Sequence, residues 1–101
     1  MTEDRALVAE LFPELTAELV GLLRAEGEHR LAGSVPGLRF YEWCGCPDDF
    51  CSSFYTGPRP AHPYGPEHRN VVLSPHDCMM VLDVVSHAIR YVEILYRGTL
   101  R

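Results

Sequence analysis

The first quarter of the chain carries apolar side chains at helical spacing, which predicts a helix over residues 2–26. The stripe consists of Leu7, Leu11, Leu15, Leu19, Leu22 and Leu23, widened by Val8, Phe12 and Val20. Pro13 interrupts this stripe and has no backbone N–H, so we expect the helix to be kinked or split there. Gly27 is a natural end point because glycine readily adopts the left-handed conformation that terminates helices.

After Gly37 the apolar period changes to two, which is typical of strands. The predicted strands span residues 38–44, 50–56, 70–74, 78–85 and 88–97. Residues 57–69 contain four prolines and two glycines, so they predict a stiff, extended loop. The pattern therefore predicts one α+β domain over residues 1–101, with the N-terminal helix packed on a five-stranded antiparallel meander.

Three of the four cysteines fall in the predicted hairpin made by the first two strands. If residues 47–50 form its loop, Cys46 lies opposite Cys51, and Cys44 lies opposite Ser53. Residues two apart in a strand share a face, and directly opposed Cβ atoms are about 5 Å apart. We therefore expect three sulfur atoms on one face at one end of the hairpin.

Clustered cysteines have three interpretations, which the sequence leaves open. Cysteine is a small hydrophobic residue that is often buried, so the cluster is consistent with ordinary core. Zinc is the candidate metal, since three thiolates and one further side chain complete a tetrahedral site. Reversible disulfide chemistry is the third, with Cys46 and Cys51 as the pair and Cys44 as the resolving thiol. The candidate metal or redox residues are Cys44, Cys46 and Cys51, with His62, His68 or Cys78 as a fourth ligand.

The closing hairpin predicts a second surface of interest. A Ser86-His87 turn would place Glu93 opposite Met80 on an apolar face, as a buried charge that needs a partner. The opposite face is apolar as well, and a single helical layer covers only one face of a sheet. We therefore expect a homodimer. Its candidate contact residues are Met79, Val81, Val92, Ile94 and Tyr96.

Charge and hydropathy limit the classes of partner and the cellular location that we expect. The net charge is −5, and all nine basic residues are scattered arginines, so nucleic acid is not an expected partner. No window of about 18 apolar residues exists, so we expect no membrane span. The N-terminus is acidic before it is apolar, unlike a secretory signal. We expect a cytoplasmic protein with reduced or metal-bound thiols.

No nucleophile, base and oxyanion donor can be assembled from the sequence, so an enzyme is the least favoured class. The first prediction is a non-enzymatic association domain that pairs with itself or with another protein. The alternative is a thiol site that binds zinc or cycles between oxidation states.

The segments "CGCPDDFCSSFYT", "YGPEHRNVVLSP" and "VLDVV…IRYVEILYR" resemble a group of small bacterial proteins. The resemblance covers most of the chain after residue 15. It implies the order helix, Cys-x-Cys hairpin, proline loop and closing hairpin, and it implies no activity. The chain departs from the group at Ser86-His87, where Asp-Gly is expected, and at Pro47, where glycine is usual.

Overall fold

A computed structural model describes residues 5–45, 51–75 and 78–96 of the chain. The helices are α1 (Val8–Leu11), α2 (Pro13–Ala25) and α3 (His29–Ser34), followed by a 3₁₀ turn at Val35–Gly37. The strands are β1 (Glu42–Trp43), β2 (Phe54–Tyr55), β3 (His68–Leu73), β4 (Met79–Val85) and β5 (Ala88–Leu95). The predicted α+β fold with a five-stranded antiparallel sheet is confirmed.

The N-terminal helix is split at Pro13, which is the first residue of α2. Proline is accepted there because the first helical N–H has no partner within the helix. Helix α2 ends at Ala25, and Gly27, whose φ of 79° is left-handed, follows the C-cap residue Glu26. The Gly27 N–H donates to the Arg24 carbonyl and the Glu28 N–H donates to the Leu23 carbonyl, which is the Schellman pattern.

One face of the sheet packs on the helices to form the core. The helical segments bury Val8, Leu15, Leu19, Leu23, Leu31, Ala32 and Val35. The strands bury Phe54, Val71, Leu73, Met80, Leu82, Val84, Ile89, Val92 and Ile94. Each of the larger aliphatic or aromatic side chains contributes about 1.5–3 kcal/mol relative to an exposed position.

The strand order is β1-β2-β5-β4-β3, which is not that of a simple meander. Strands β3, β4 and β5 follow one another, but β2 pairs with β5. The proline-rich segment 56–67 therefore carries the chain from one side of the sheet to the opposite edge, a distance of about 14 Å across three strand spacings. Prolines suit this segment because it donates little to a hydrogen-bonded ladder.

The first two strands are shorter than predicted. Gly45 has a φ of 81°, which ends the extended conformation directly after Cys44. Before β2, Ser52 donates its N–H to the Ile94 carbonyl, but the Ile94 N–H donates to the Ser53 hydroxyl. A side chain thus replaces one bond of the backbone ladder.

The predicted register of the closing hairpin is correct only next to its turn. Val85 pairs with Ala88 and Val84 with Ile89, but Asp83 pairs with Tyr91. Arg90 is therefore the additional residue of a β-bulge, and beyond it the pairing is shifted by one residue from the predicted register. A shift of one residue exchanges the two faces of a strand.

Because of the bulge, three residues of β5 lie on the opposite face of the sheet from the one predicted. Val92 pairs with Leu82 and Ile94 with Met80, and both are fully buried in the core, so their assignment to a dimer interface was wrong. Glu93 instead lies opposite Val81 on the outer face of the sheet and is only partly buried. The prediction of a buried charge was therefore wrong.

Candidate functional site

The β1–β2 hairpin brings two cysteines into contact. Its register pairs Trp43 with Phe54, and the Cys44 N–H donates to the Ser53 carbonyl at 3.0 Å. Cys51 lies two residues before Ser53, so it is a diagonal neighbour of Cys44 across the hairpin. The Sγ atoms of Cys44 and Cys51 are 3.3 Å apart.

A chain of hydrogen bonds links this pair to β5. The Cys51 thiol donates to the Ser53 hydroxyl at 3.3 Å, and that hydroxyl donates to the Ile94 carbonyl at 3.4 Å. Either thiol can be the donor in the contact between the two sulfurs, since each carries an S–H that rotates. Cys51 and Ser53 are 3 % and 1 % exposed, whereas Cys44 is partly exposed.

Arg59, from the proline-rich segment, fastens the end of β1 that carries Cys44. Its guanidinium donates to the carbonyl oxygens of Trp43 and Cys44, each at 3.1 Å, and to the Glu42 carboxylate at 2.9 Å. It also stacks over the Tyr55 ring at 4.4 Å. The Glu42 hydrogen bond raises the pKa of Arg59.

An aromatic cluster supports the hairpin from the core side. Phe12, Phe40, Trp43 and Phe54 have ring centroids 5.0–6.2 Å apart. Tilted and edge-to-face contacts of this kind add to the area that the rings bury. The residue preceding Cys44 is therefore held in a fixed position.

The other predicted site residues are dispersed. Cys46 lies outside the described residues, so its predicted opposition to Cys51 stays a prediction. Cys78 is partly buried and packs against the hydrophobic core just before β4. His62 is exposed in the proline-rich segment. His68 Nε2 lies 2.8 Å from the Asp83 carboxylate, on the outer face of β3 and β4.

Within residues 5–45, 51–75 and 78–96, no group of three or more His, Cys, Asp or Glu side chains is arranged to hold a metal ion. The Cys44–Cys51 pair is thus the set of predicted site residues that the described structure brings together.

Sequence reasoning missed two residues of this site. The sequence did not indicate Arg59, because its contacts depend on the path that the proline-rich segment takes after β2. Ser53 was placed opposite Cys44, but its bonds to Ile94 required the pairing of β2 with β5. The sequence predicted Cys44 and Cys51 on one face of the hairpin, but it named Cys46 and Cys51 as the redox pair.

Three candidate interface residues lie away from the core. Met79 and Tyr96 are 50 % and 58 % exposed, and Val81 is partly exposed. Val72, which is 64 % exposed, pairs with Val81, and Leu95 pairs with Met79. We call the apolar set Val72, Met79, Val81, Leu95 and Tyr96 the outer patch.

Comparison with protein-family models, with curated proteins and with solved structures finds no match to the chain. Across the part of the chain that the structure describes, none of the helices has the length and apolar character needed to cross a membrane.

Proposed function

We propose that the protein is a thiol–disulfide redox protein in which Cys44 and Cys51 interconvert between two thiols and a disulfide. The observation that supports this is the 3.3 Å separation of their Sγ atoms. A disulfide is about 2.0 Å long, so the sulfurs need to approach by only about 1.3 Å. A change of this size is accessible to side-chain rotation and a small movement of the strand ends.

The reaction requires an external oxidant, for which we propose a low-molecular-weight disulfide. Each thiol of the protein loses one proton and one electron, and a bond forms between the two sulfurs. The oxidant accepts both electrons, its S–S bond breaks, and two small thiols leave.

The sulfur separation favours redox chemistry over the zinc interpretation. Two thiolates on tetrahedral zinc are about 3.8 Å apart, given Zn–S distances of about 2.3 Å. The Cys44–Cys51 pair is closer than that. Among the described residues, no third and fourth ligand accompany the pair.

The test is a map of the disulfide formed when the reduced protein is equilibrated with a glutathione redox buffer. We expect one Cys44–Cys51 disulfide by mass spectrometry of proteolytic fragments, with two fewer titratable thiols. It should be lost in Cys44→Ser and in Cys51→Ser. Cys78→Ser is the matched control, because Cys78 packs against the core and should leave disulfide formation unchanged.

Two outcomes would contradict the proposal. In one, all four thiols remain titratable after equilibration with oxidised buffer. In the other, the purified protein contains one equivalent of zinc that Cys44→Ser removes, which would assign the thiols to a metal site.

A second candidate function, self-association, is supported by the outer patch. Val72 and Met79 lie on the face of the sheet opposite the helices and are 64 % and 50 % exposed. Tyr96, directly after β5, is 58 % exposed. Exposed apolar side chains that adjoin one another are typical of protein interfaces. The occupant that we propose is a second copy of the chain.

Light scattering during size-exclusion chromatography tests this candidate. We expect a dimer that Met79→Glu converts to a monomer. Leu11→Glu is the matched control, since Leu11 is a 46 % exposed apolar residue on α1, outside the outer patch. A wild-type protein that stays monomeric at about 100 µM would rule the dimer out. An interface with a Kd in the micromolar range would be mostly dimeric at that concentration.

A further inference from the structure

The two sulfur atoms of the pair differ in their access to solvent. Cys51 is 3 % exposed, whereas Cys44 is only partly buried. An external disulfide must bring one of its sulfurs in line with the attacking thiolate, so access decides which thiol reacts first. The buried sulfur cannot be approached in this way without opening the hairpin.

The hydrogen bonds around the two cysteines also differ, because they hold Cys51 more firmly than the Cys44 side chain. The Cys51 thiol donates to Ser53, whose hydroxyl is itself bonded to both backbone groups of Ile94. Cys51 is therefore held to the central part of the sheet. Its neighbour Cys44 lies at the end of the edge strand β1, next to Gly45 with its left-handed φ.

The contact between the sulfurs also provides for the second step. When Cys44 loses its proton, the Cys51 S–H lies within hydrogen-bonding distance of the resulting thiolate, at 3.3 Å. Once Cys44 has reacted, the same short distance brings Cys51 to the sulfur that it must attack. Only side-chain rotation and a small movement of the strand ends are then needed to close the remaining distance.

Resting on the proposed redox function, we infer that Cys44 is the attacking thiol, that Cys51 is the resolving thiol, and that the substrate is a small, soluble disulfide. In the first step, the Cys44 thiolate attacks one sulfur of the substrate, whose S–S bond breaks and releases one small thiolate. In the second, the Cys51 thiolate attacks the Cys44 sulfur of the mixed disulfide and releases the other small thiolate. Two protein thiols and one small disulfide give one protein disulfide and two small thiols.

The fixed orientation of Cys44 depends on Arg59, which we assign as a positioning residue. Its guanidinium binds the carbonyl oxygens of Trp43 and Cys44, so it holds the backbone of the attacking residue and not its sulfur. Loss of these bonds should slow closure of the protein disulfide more than the first attack, because closure needs both sulfurs in register.

Trapping of the mixed disulfide tests the assignment. Reduced Cys51→Ser, incubated with hydroxyethyl disulfide, should accumulate an adduct on Cys44, located by fragmentation of the peptide that contains it. Reduced Cys44→Ser should form an adduct on Cys51 at least tenfold more slowly. Cys51→Ala serves as the second variant if serine perturbs the fold, and circular dichroism reports on folding in each case.

The result that overturns the assignment is an adduct on Cys51 that forms as fast as the one on Cys44, or adducts confined to Cys46 and Cys78. The wild-type map separates the two levels of the proposal. If wild type forms the Cys44–Cys51 disulfide but the trapping rates are equal, only the assigned roles fail. If wild type forms no such disulfide, the redox function fails as well.

Arg59→Lys gives an independent readout. We expect the rate of adduct formation on Cys44 in the Cys51→Ser background to change by less than twofold, and disulfide closure in the otherwise wild-type chain to slow by at least threefold. Equal slowing of both steps would overturn the positioning role. A destabilised fold would appear as a lower unfolding temperature, which distinguishes it from a specific effect on closure.

Discussion

The side chain of Arg90 lies directly over the α-carbon of Gly57. A Cβ atom placed on Gly57 would be 2.8 Å from Arg90 Nη1 and 2.9 Å from its Cδ. Arg90 is the additional residue of the β-bulge in β5, and Gly57 is the buried second residue of the proline-rich segment. The close approach therefore joins the bulge to the segment that carries Arg59.

Gly57→Ala should destabilise the protein by about 1–3 kcal/mol, because the methyl group overlaps the Arg90 side chain and displaces it. Chemical denaturation measures the loss. Gly21→Ala is the control: Gly21 is exposed within α2 with no atom within 4 Å of the added Cβ, so alanine should stabilise by about 0.5–1 kcal/mol. An unchanged stability for Gly57→Ala would show that Arg90 moves away without cost.

Ser53→Ala should cost about 1–3 kcal/mol, since Ser53 is 1 % exposed and its loss leaves the Ile94 N–H without this acceptor. The free energy of unfolding from urea titration gives the value. Ser34→Ala removes a local bond from a partly buried hydroxyl to the Leu31 carbonyl and should cost less. Equal losses for the two variants would argue against a structural role for the Ser53 hydroxyl in the sheet.

Replacement of the Ser86-His87 turn by Asn-Gly should stabilise the protein by about 1 kcal/mol, because both residues have left-handed φ angles, of 50° and 68°, which are costly for ordinary side chains. Thermal unfolding followed by circular dichroism is the measurement. His87→Val serves as the opposite change and should destabilise, since a β-branched residue disfavours this conformation. A lower melting temperature for the Asn-Gly variant would contradict the turn geometry.

Glu28→Gln should lower stability by less than about 1 kcal/mol at pH 7, because both side chains of the Glu28–Arg69 pair are partly exposed to solvent. The hydrogen bonds from Arg69 lower the pKa of Glu28 below its ordinary value of 4.5. The stabilisation is therefore complete above pH 4.5 and is lost as the pH falls through the lowered pKa.

Denaturation of wild type and Glu28→Gln from pH 7 to pH 2.5 follows this loss, which should bring the two proteins together at the acidic end of the range. Glu67→Gln, at an exposed position before β3, is the control and should show little difference at any pH. A difference between wild type and Glu28→Gln that persists at the lowest pH would exclude the ion pair as its cause.

Much of the architecture was predictable from local patterns. The helical stripe predicted a helix kinked or split at Pro13, which is split in the structure, and the period-two segments predicted the five strands. Helices and strands place their apolar residues at different periods along the chain, and these periods can be read from the sequence. The register of the β1–β2 hairpin was likewise predictable, because the assumed loop length fixes which residues oppose one another.

The bulge at Arg90 was not predictable from the hydrophobic pattern. Val92, Glu93 and Ile94 alternate in the same way whichever face they occupy, so the pattern alone was compatible with two registers. Packing against the helices selects the register in which Val92 and Ile94 are buried and Glu93 is not. This register requires one additional residue between the turn and Val92, and the bulge at Arg90 supplies it.

The sequence by itself determined the type and order of the elements, and it determined that Cys44 and Cys51 lie near each other, because these depend on residues close together in the chain. Only the tertiary structure decided that β2 joins β5, that Ser53 and Arg59 support the cysteine pair, and which face of β5 is buried. These features arise from contacts between residues far apart in the chain. Their energies depend on how whole layers pack, and no local pattern records that.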